Sequence, residues 1–297
     1  IAVSLLDVKD KEVIIPSLSF ISTANCVLMN GGKPVFADIN PDTLCIDPET
    51  IAKLITKNTK AVIPVHFGGM PCNIEKILDV SNKHEIKVIE DAAHAAGASY
   101  NKNKIGGHGF AVCFSFHPVK NLAMPTGGLI AINDKNHKKI RDSIQAKRWC
   151  GIENRNDDSY EINELGDNYY MNEFSAVIGI EQLKKLNKMN SIRRKIAKQY
   201  FSEIEIERKM SFEKECSYHL YWICVKNREY FRKKLYENGI QTGTHYKPIH
   251  TFSLYQDHTR LPCTEIVGKQ IVTIPMHPNI TEDQIDKIIS LTNKFAK

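Results

Sequence analysis

From about residue 13 to about residue 133, short β-branched runs alternate with helical stretches: EVIIP, KPVFADI, KAVIPVHF, KVIEDA, AVCFSF and GLIAIN, with helices between the earlier ones. Strands that alternate with helical crossovers build a mostly parallel sheet covered by helices, so the class is α/β. One crossover helix carries its own start signal. In DPETIAKLI, Asp47 can accept from free N–H groups of the first turn, while Pro48 sits where a missing donor costs nothing.

The pattern changes after residue 150. A polar stretch, GIENRNDDSYEINELGDN, precedes a long helical segment predicted from about Asn172 to Tyr200. Phe174, Ile178, Leu183, Leu186, Met189, Ile192 and Ile196 keep mostly three- and four-residue steps there, a spacing that lets one face be buried. Aromatic-rich strands are expected around 217 to 226, then a helix at about 228 to 238. A last helix begins at TEDQ, where Thr281 and Gln284 have capping-box spacing. Residues 1–190 therefore read as a large domain and 191–297 as a smaller C-terminal α/β domain, bridged by the long helix. The opening segment, IAVSLLDVKDKEVIIP, reads as the tail of a helix running into a strand. It lacks the features of a signal peptide, and the reading places the natural N-terminus upstream.

Composition narrows the partners. A chain of 297 residues with 42% hydrophobic and 25% charged residues matches soluble globular averages. No apolar run approaches the roughly 20 residues of a membrane span. The net charge of +6 comes partly from clusters at 184–185, 193–195 and 232–234, which read as solvated helix faces. Without a concentrated basic stripe or an aromatic platform, nucleic acid is not an expected partner. Eight cysteines lie scattered with no C-x-x-C pair, which argues against a zinc ribbon or a disulfide framework and suits a reducing cytoplasm. His117, His245 and His250 lack carboxylates at ligand spacing, so no metal site is expected.

Two residues stand out chemically. Asp91 directly follows the apolar strand of KVIEDAAHAAG, and ligand sites of open α/β sheets lie off the carboxyl ends of strands. It suits either a helix cap or a cofactor acid. The strand AVCFSF then ends in HPVKNLAMPTGG, which brings Lys120 out of a loop at what should be the same sheet edge. A partly buried amine there loses its proton more readily and can attack a carbonyl. An acid and a nucleophilic lysine on neighbouring strand ends are what pyridoxal 5'-phosphate (PLP) chemistry requires. The lysine holds the aldehyde, and the carboxylate keeps the ring nitrogen protonated.

The ordered motifs PSLSFISTANC, KPVFADINPDTLCID, VIPVHFGG, VIEDAAHAAGA, FSFHPVKNL with its following GG, LGDNYYMNEFSAVIGIEQL, HYKPIH and IPMHPNIT resemble those of the DegT/DnrJ-type sugar aminotransferases. The resemblance spans nearly the whole chain. It implies a three-layer PLP-dependent transferase fold, similar to aspartate aminotransferase. It also implies transfer of an amino group from glutamate to a nucleotide-linked keto sugar, in a homodimer with shared active sites. By resemblance, Lys120 matches the Schiff-base lysine and Asp91 the partner of the pyridine nitrogen. Ser115 matches a contact to the cofactor phosphate, His94 a residue against the ring, and Phe20 a stacking aromatic. Asn168 matches an asparagine that reaches the phosphate from the partner subunit.

Plainer readings stand beside these. His94 and Phe20 also suit the core, Asn168 a turn after Gly166 and Asp167, and Ser115 a hydroxyl bonded to backbone. Three departures accompany the match: AMPTGG replaces a TTGEGG-like run, Tyr170 stands where an arginine is usual, and the upstream SGT-type loop is absent from the sequence. Other functions with the same fold are a PLP-dependent sugar dehydratase, in which a histidine replaces the lysine, and a binding or regulatory protein without turnover.

Overall fold

The computed structural model describes residues 1–255 and 259–296. Its central sheet has six strands: β1 (Glu12–Pro16), β2 (Lys33–Ala37), β3 (Thr59–Val62), β4 (Lys87–Asp91), β5 (Ala111–Ser115) and β6 (Gly128–Ile132). Their order is β2-β1-β3-β4-β5-β6. The first five are parallel, and β6 runs antiparallel to β5. The reason is local: residues 116–127 contain no helix, so the chain turns back at the sheet edge it has just left. That turn carries Lys120.

Helices α1 (Ser22–Met29), α2 (Pro48–Leu54) and α3 (Ile74–Lys83) connect the early strands. Asp47 caps α2 as expected, accepting from the Glu49 N–H. Alternate residues along one strand enter different cores. Ile14, Val62 and Val88 join Phe67, Tyr200 and Trp222 in one core, whereas Val13, Ile15, Ala61 and Ile89 join Ala24, Val27 and Phe36 in the other. Burial on both faces accounts for the unbroken apolar runs and gives helix, sheet and helix in three layers.

Beyond β6 come α4 (His137–Arg148) and the long α5 (Glu173–Glu203), whose N-terminus is capped by Asn172 accepting from the Ser175 N–H at 2.8 Å. The expected burial of one continuous face holds only from Leu186 onward, where Leu186, Ile196, Ala197 and Tyr200 are buried. Phe174 is 85% exposed, and Ile178 and Leu183 are exposed too. The basic cluster at 193–195 also departs from a solvated face. Arg193 is buried, and its guanidinium donates to the carbonyls of Tyr218 and Met276. Loss of water lowers its proton affinity to about 10.

The remainder comprises β7 (Tyr221–Cys224) paired antiparallel with β8 (Ile271–Ile274), and helices α6 (Arg228–Glu237), α7 (Pro262–Gln270) and α8 (Glu282–Phe295). Thr281 and Gln284 form the expected capping box. Strand structure expected over 217–226 is confined to β7. Ser217, His219 and Leu220 instead donate to the carbonyls of Gly69 and Gly68, with His219 N–H donating to the Gly68 carbonyl at 2.8 Å. The opening segment forms a 3-10 turn, Val3–Leu6, rather than an α-helical tail.

Candidate active site

The carboxyl ends of β1, β4 and β5 lie along one sheet edge, because all three strands are parallel. Asp91 ends β4 and Ser115 ends β5, and Phe20 follows β1. Side chains of adjacent strand residues point to opposite faces, which separates the two acids of KVIEDA. Glu90 turns inward, fully buried, accepting from His66 Nε2 at 2.9 Å and from the Gly109 N–H at 2.5 Å. Asp91 turns to the open edge. Its Oδ2 accepts from the Thr23 hydroxyl at 2.8 Å and its Oδ1 from the Ala93 N–H at 3.1 Å. The second bond is the turn-capping contact; the first is a tertiary one that reaches across to α1.

Lys120 is held at the backbone by its N–H bond to the His117 carbonyl at 2.9 Å. Burial lowers the proton affinity of its amine below the ordinary 10.5, and the charge of Asp91 opposes part of that shift. The two groups therefore feel each other directly. Replacing Asp91 with asparagine is expected to lower the Lys120 midpoint further, because the charge that helps hold the proton is gone. Acylation of the cofactor-free protein as a function of pH, read peptide by peptide, measures that midpoint. A midpoint that rises or stays put means the Asp91 charge does not reach Lys120.

His94 is buried beside them. Its Nδ1 accepts from the Gly68 N–H at 3.3 Å, so the proton of the neutral ring sits on Nε2, facing the Tyr246 hydroxyl oxygen at 3.3 Å. Burial first, then the proximity of His219, Lys120 and His245, holds its proton affinity well below the usual histidine value. The His94 and His219 rings lie 4.4 Å apart. Phe20 is 57% exposed, with its ring 6.0 Å from that of Tyr246. It stands at the open edge rather than in the core. Ser115 Oγ accepts from the His117 N–H at 3.3 Å, at the start of the lysine turn.

Lys120, Asp91, His94, Ser115 and Phe20 thus gather at one edge. Asn168 does not join them within this chain. It is exposed, bridges to Trp149, and its Oδ1 accepts from the Tyr170 N–H at 3.2 Å. The structure adds residues that the sequence reading left out: Thr23, Asn121, His219 and Tyr246. Thr23 lies within PSLSFISTANC and Tyr246 within HYKPIH, so both motifs held the signal. His245 and His250 bond to Thr273 and Ser17, at 2.7 Å and 2.6 Å.

The profile of the DegT/DnrJ/EryC1/StrS aminotransferase family matches residues 1–292. The chain belongs to that family. It is 34% identical over 313 aligned residues to the uncharacterized protein MJ1066 of Methanocaldococcus jannaschii, covering 98% of this chain and 81% of that protein. PseC of Helicobacter pylori, an aminotransferase involved in the biosynthesis of pseudoaminic acid, superposes with a TM-score of 0.90 at 28% identity, over 96% of this chain and 80% of its own. Spr1654 of Streptococcus pneumoniae in its PLP form superposes with a TM-score of 0.91 at 24% identity, over 99% and 84%. This family member is a PLP-dependent aminotransferase of the sugar aminotransferase type, with the three-layer α/β fold of its relatives.

Proposed function

We propose that this aminotransferase moves an amino group from glutamate to a nucleotide-linked keto sugar, with Lys120 as its reactive amine. The observation that carries the reading is the placement of Lys120, in the turn after β5, and Asp91, at the end of β4, on one sheet edge, where burial also lowers the proton affinity of the amine. The residues fit the cofactor. Asp91 presents a carboxylate fixed by Thr23 and Ala93 that would meet the pyridine nitrogen, while His94 and Phe20 would contact the ring and Ser115 the phosphate. When bound, PLP supplies an electron sink that stabilises negative charge on the substrate carbon.

The rest of the chemistry falls to this chain's side chains. A partly desolvated Lys120 spends more time as the free amine than an exposed lysine does, so it would hold the cofactor's aldehyde with loss of water and, once displaced by the donor's amino group, would be free to carry a proton to and from the substrate carbon. Asp91 would hold a proton on the pyridine nitrogen through a charge-assisted hydrogen bond. Neutral His94 would contact the ring without adding a second cation. The presence of Lys120 argues against the dehydratase alternative, which needs a histidine at that position.

A screen of the enzyme with glutamate and a panel of nucleotide-linked keto sugars tests the substrate assignment. Amination of at least one panel member is expected. Transfer to simple 2-oxo acids alone would remove the sugar assignment, and cofactor binding with no amino transfer would favour the regulatory alternative.

The partner is a second copy of the chain, with sites shared between subunits. Leu165 at 93% exposure, Tyr169, Tyr170, Phe174, Val177 and Ile180 support this, because they are exposed large apolar side chains close in sequence to Asn168. Asn168 of one subunit then completes the phosphate cup around Lys120 of the other. Mixing Lys120→Ala with Asn168→Ala under subunit exchange should restore activity, since one site of each mixed dimer collects both lesions and the other neither. No recovery despite verified exchange, or a fully active monomer, removes the shared-site claim. The eight free cysteines support a reducing, cytoplasmic setting, and no helix among the described residues is long and apolar enough to cross a membrane.

A further inference from the structure

The three residues before Lys120 are exposed, yet the residue after it, Asn121, is only 4% exposed. Its amide is saturated. Nδ2 donates to Asn190 Oδ1 at 2.9 Å and to the Ser217 carbonyl at 2.8 Å, and Oδ1 faces His219 Nδ1 at 3.2 Å. The orientation follows from proton counting. The Ser217 carbonyl can only accept. Asn190 Nδ2 donates to the Ala96 carbonyl at 2.9 Å, so its Oδ1 is the atom left for Asn121. Both Asn121 amide protons are thereby committed, its oxygen must accept, and His219 must carry a proton on Nδ1.

This chain of bonds joins four segments: the loop after β4, the lysine turn, α5 and the turn before β7. Space around it is tight. Gly97 has φ +80, and a Cβ there would lie 2.6 Å from Asn190 Nδ2. The same network reaches His94, whose carbonyl accepts from the Ser217 hydroxyl at 2.9 Å. Burial and the nearby Lys120 charge hold His219 neutral, so one imidazole closes the network without placing a cation beside the lysine.

We infer that Asn121 is a positioning residue for Lys120: through Asn190, Ser217 and His219 it fixes the turn that aims the amine at the cofactor edge. The inference rests on Lys120 as the reactive amine. Without the Asn121 side-chain bonds the turn keeps only hydrogen bonds within the segment 115–127, such as Lys120 N–H to His117 and Met124 N–H to Phe116, and among the described residues no hydrogen bond ties it to α5 and the turn before β7. A misplacement of the amine by about 1 Å can cost on the order of 100-fold in rate.

The test compares Asn121→Ala with the milder Asn190→Ala, which leaves Asn121 its bonds to Ser217 and His219. Three quantities are read in each: kcat and KM for glutamate, melting temperature, and the pH midpoint of Lys120 acylation in the cofactor-free protein. Asn121→Ala is expected to lower kcat by about 30- to 100-fold and Asn190→Ala by about 5- to 10-fold, with KM changed by less than about threefold. The Lys120 midpoint should move toward the ordinary lysine value in both, because a loosened turn exposes the amine to water. A lowered melting temperature with unchanged kcat and midpoint would make the network structural only and overturn the inference. Should Asn121→Ala fail to fold, the Asn190→Ala midpoint and kcat decide alone. Undiminished turnover in Lys120→Ala would instead overturn the premise.

Discussion

Lys120→Ala should lose amino transfer by at least about 1000-fold, because one substitution removes both the nucleophile and the proton carrier. Its unfolding free energy should stay within about 1 kcal/mol of the parent, since a partly exposed turn lysine adds little packing. The Lys120 backbone N–H bond to His117 and the Asn121 network do not depend on the amine, so the turn itself should survive. Activity assays with glutamate, together with thermal melts of both proteins, check the pair of expectations. Lost activity with a collapsed melt would mean that the lysine holds the fold rather than the chemistry.

Asp91→Asn should keep the cofactor bound and lower turnover by about 100-fold, the scale of losing a hydrogen bond to a charged group in a desolvated site. The substitution is nearly isosteric. An amide oxygen can still accept from the Ala93 N–H, and the Thr23 hydroxyl can still pair with the amide, so the local turn persists. Asparagine caps about as well as aspartate, which separates the two roles of this residue. Near-normal turnover in the variant would leave Asp91 as a cap alone; a loss without unfolding assigns it to the cofactor.

The strands were legible because β-branched runs buried on both faces leave an unbroken apolar signature, and the caps at Asp47 and Thr281 because they are local. The placement of Asp91 and Lys120 at one edge was legible for a related reason: Asp91 ends a strand, Lys120 lies in the turn that follows the next one, and parallel strands place those ends together. His219 was not, since it meets Asn121 from 98 residues away, and although HYKPIH marked the segment of Tyr246, no local pattern encodes its pairing with His94 across 152 residues. The first half of α5 shows a different limit. Its spacing marked Phe174, Ile178 and Leu183 as a buried face, but periodicity cannot say whether the burying surface belongs to the same chain. Arg193 shows the converse, since a basic cluster on a helix conceals which member turns inward to bond carbonyls.

Borohydride reduction of the PLP-loaded enzyme, followed by peptide mapping, bears most directly on the central claim. The reduced cofactor should be found covalently attached to Lys120. Attachment to any other lysine, or no covalent fixation at all, would contradict it.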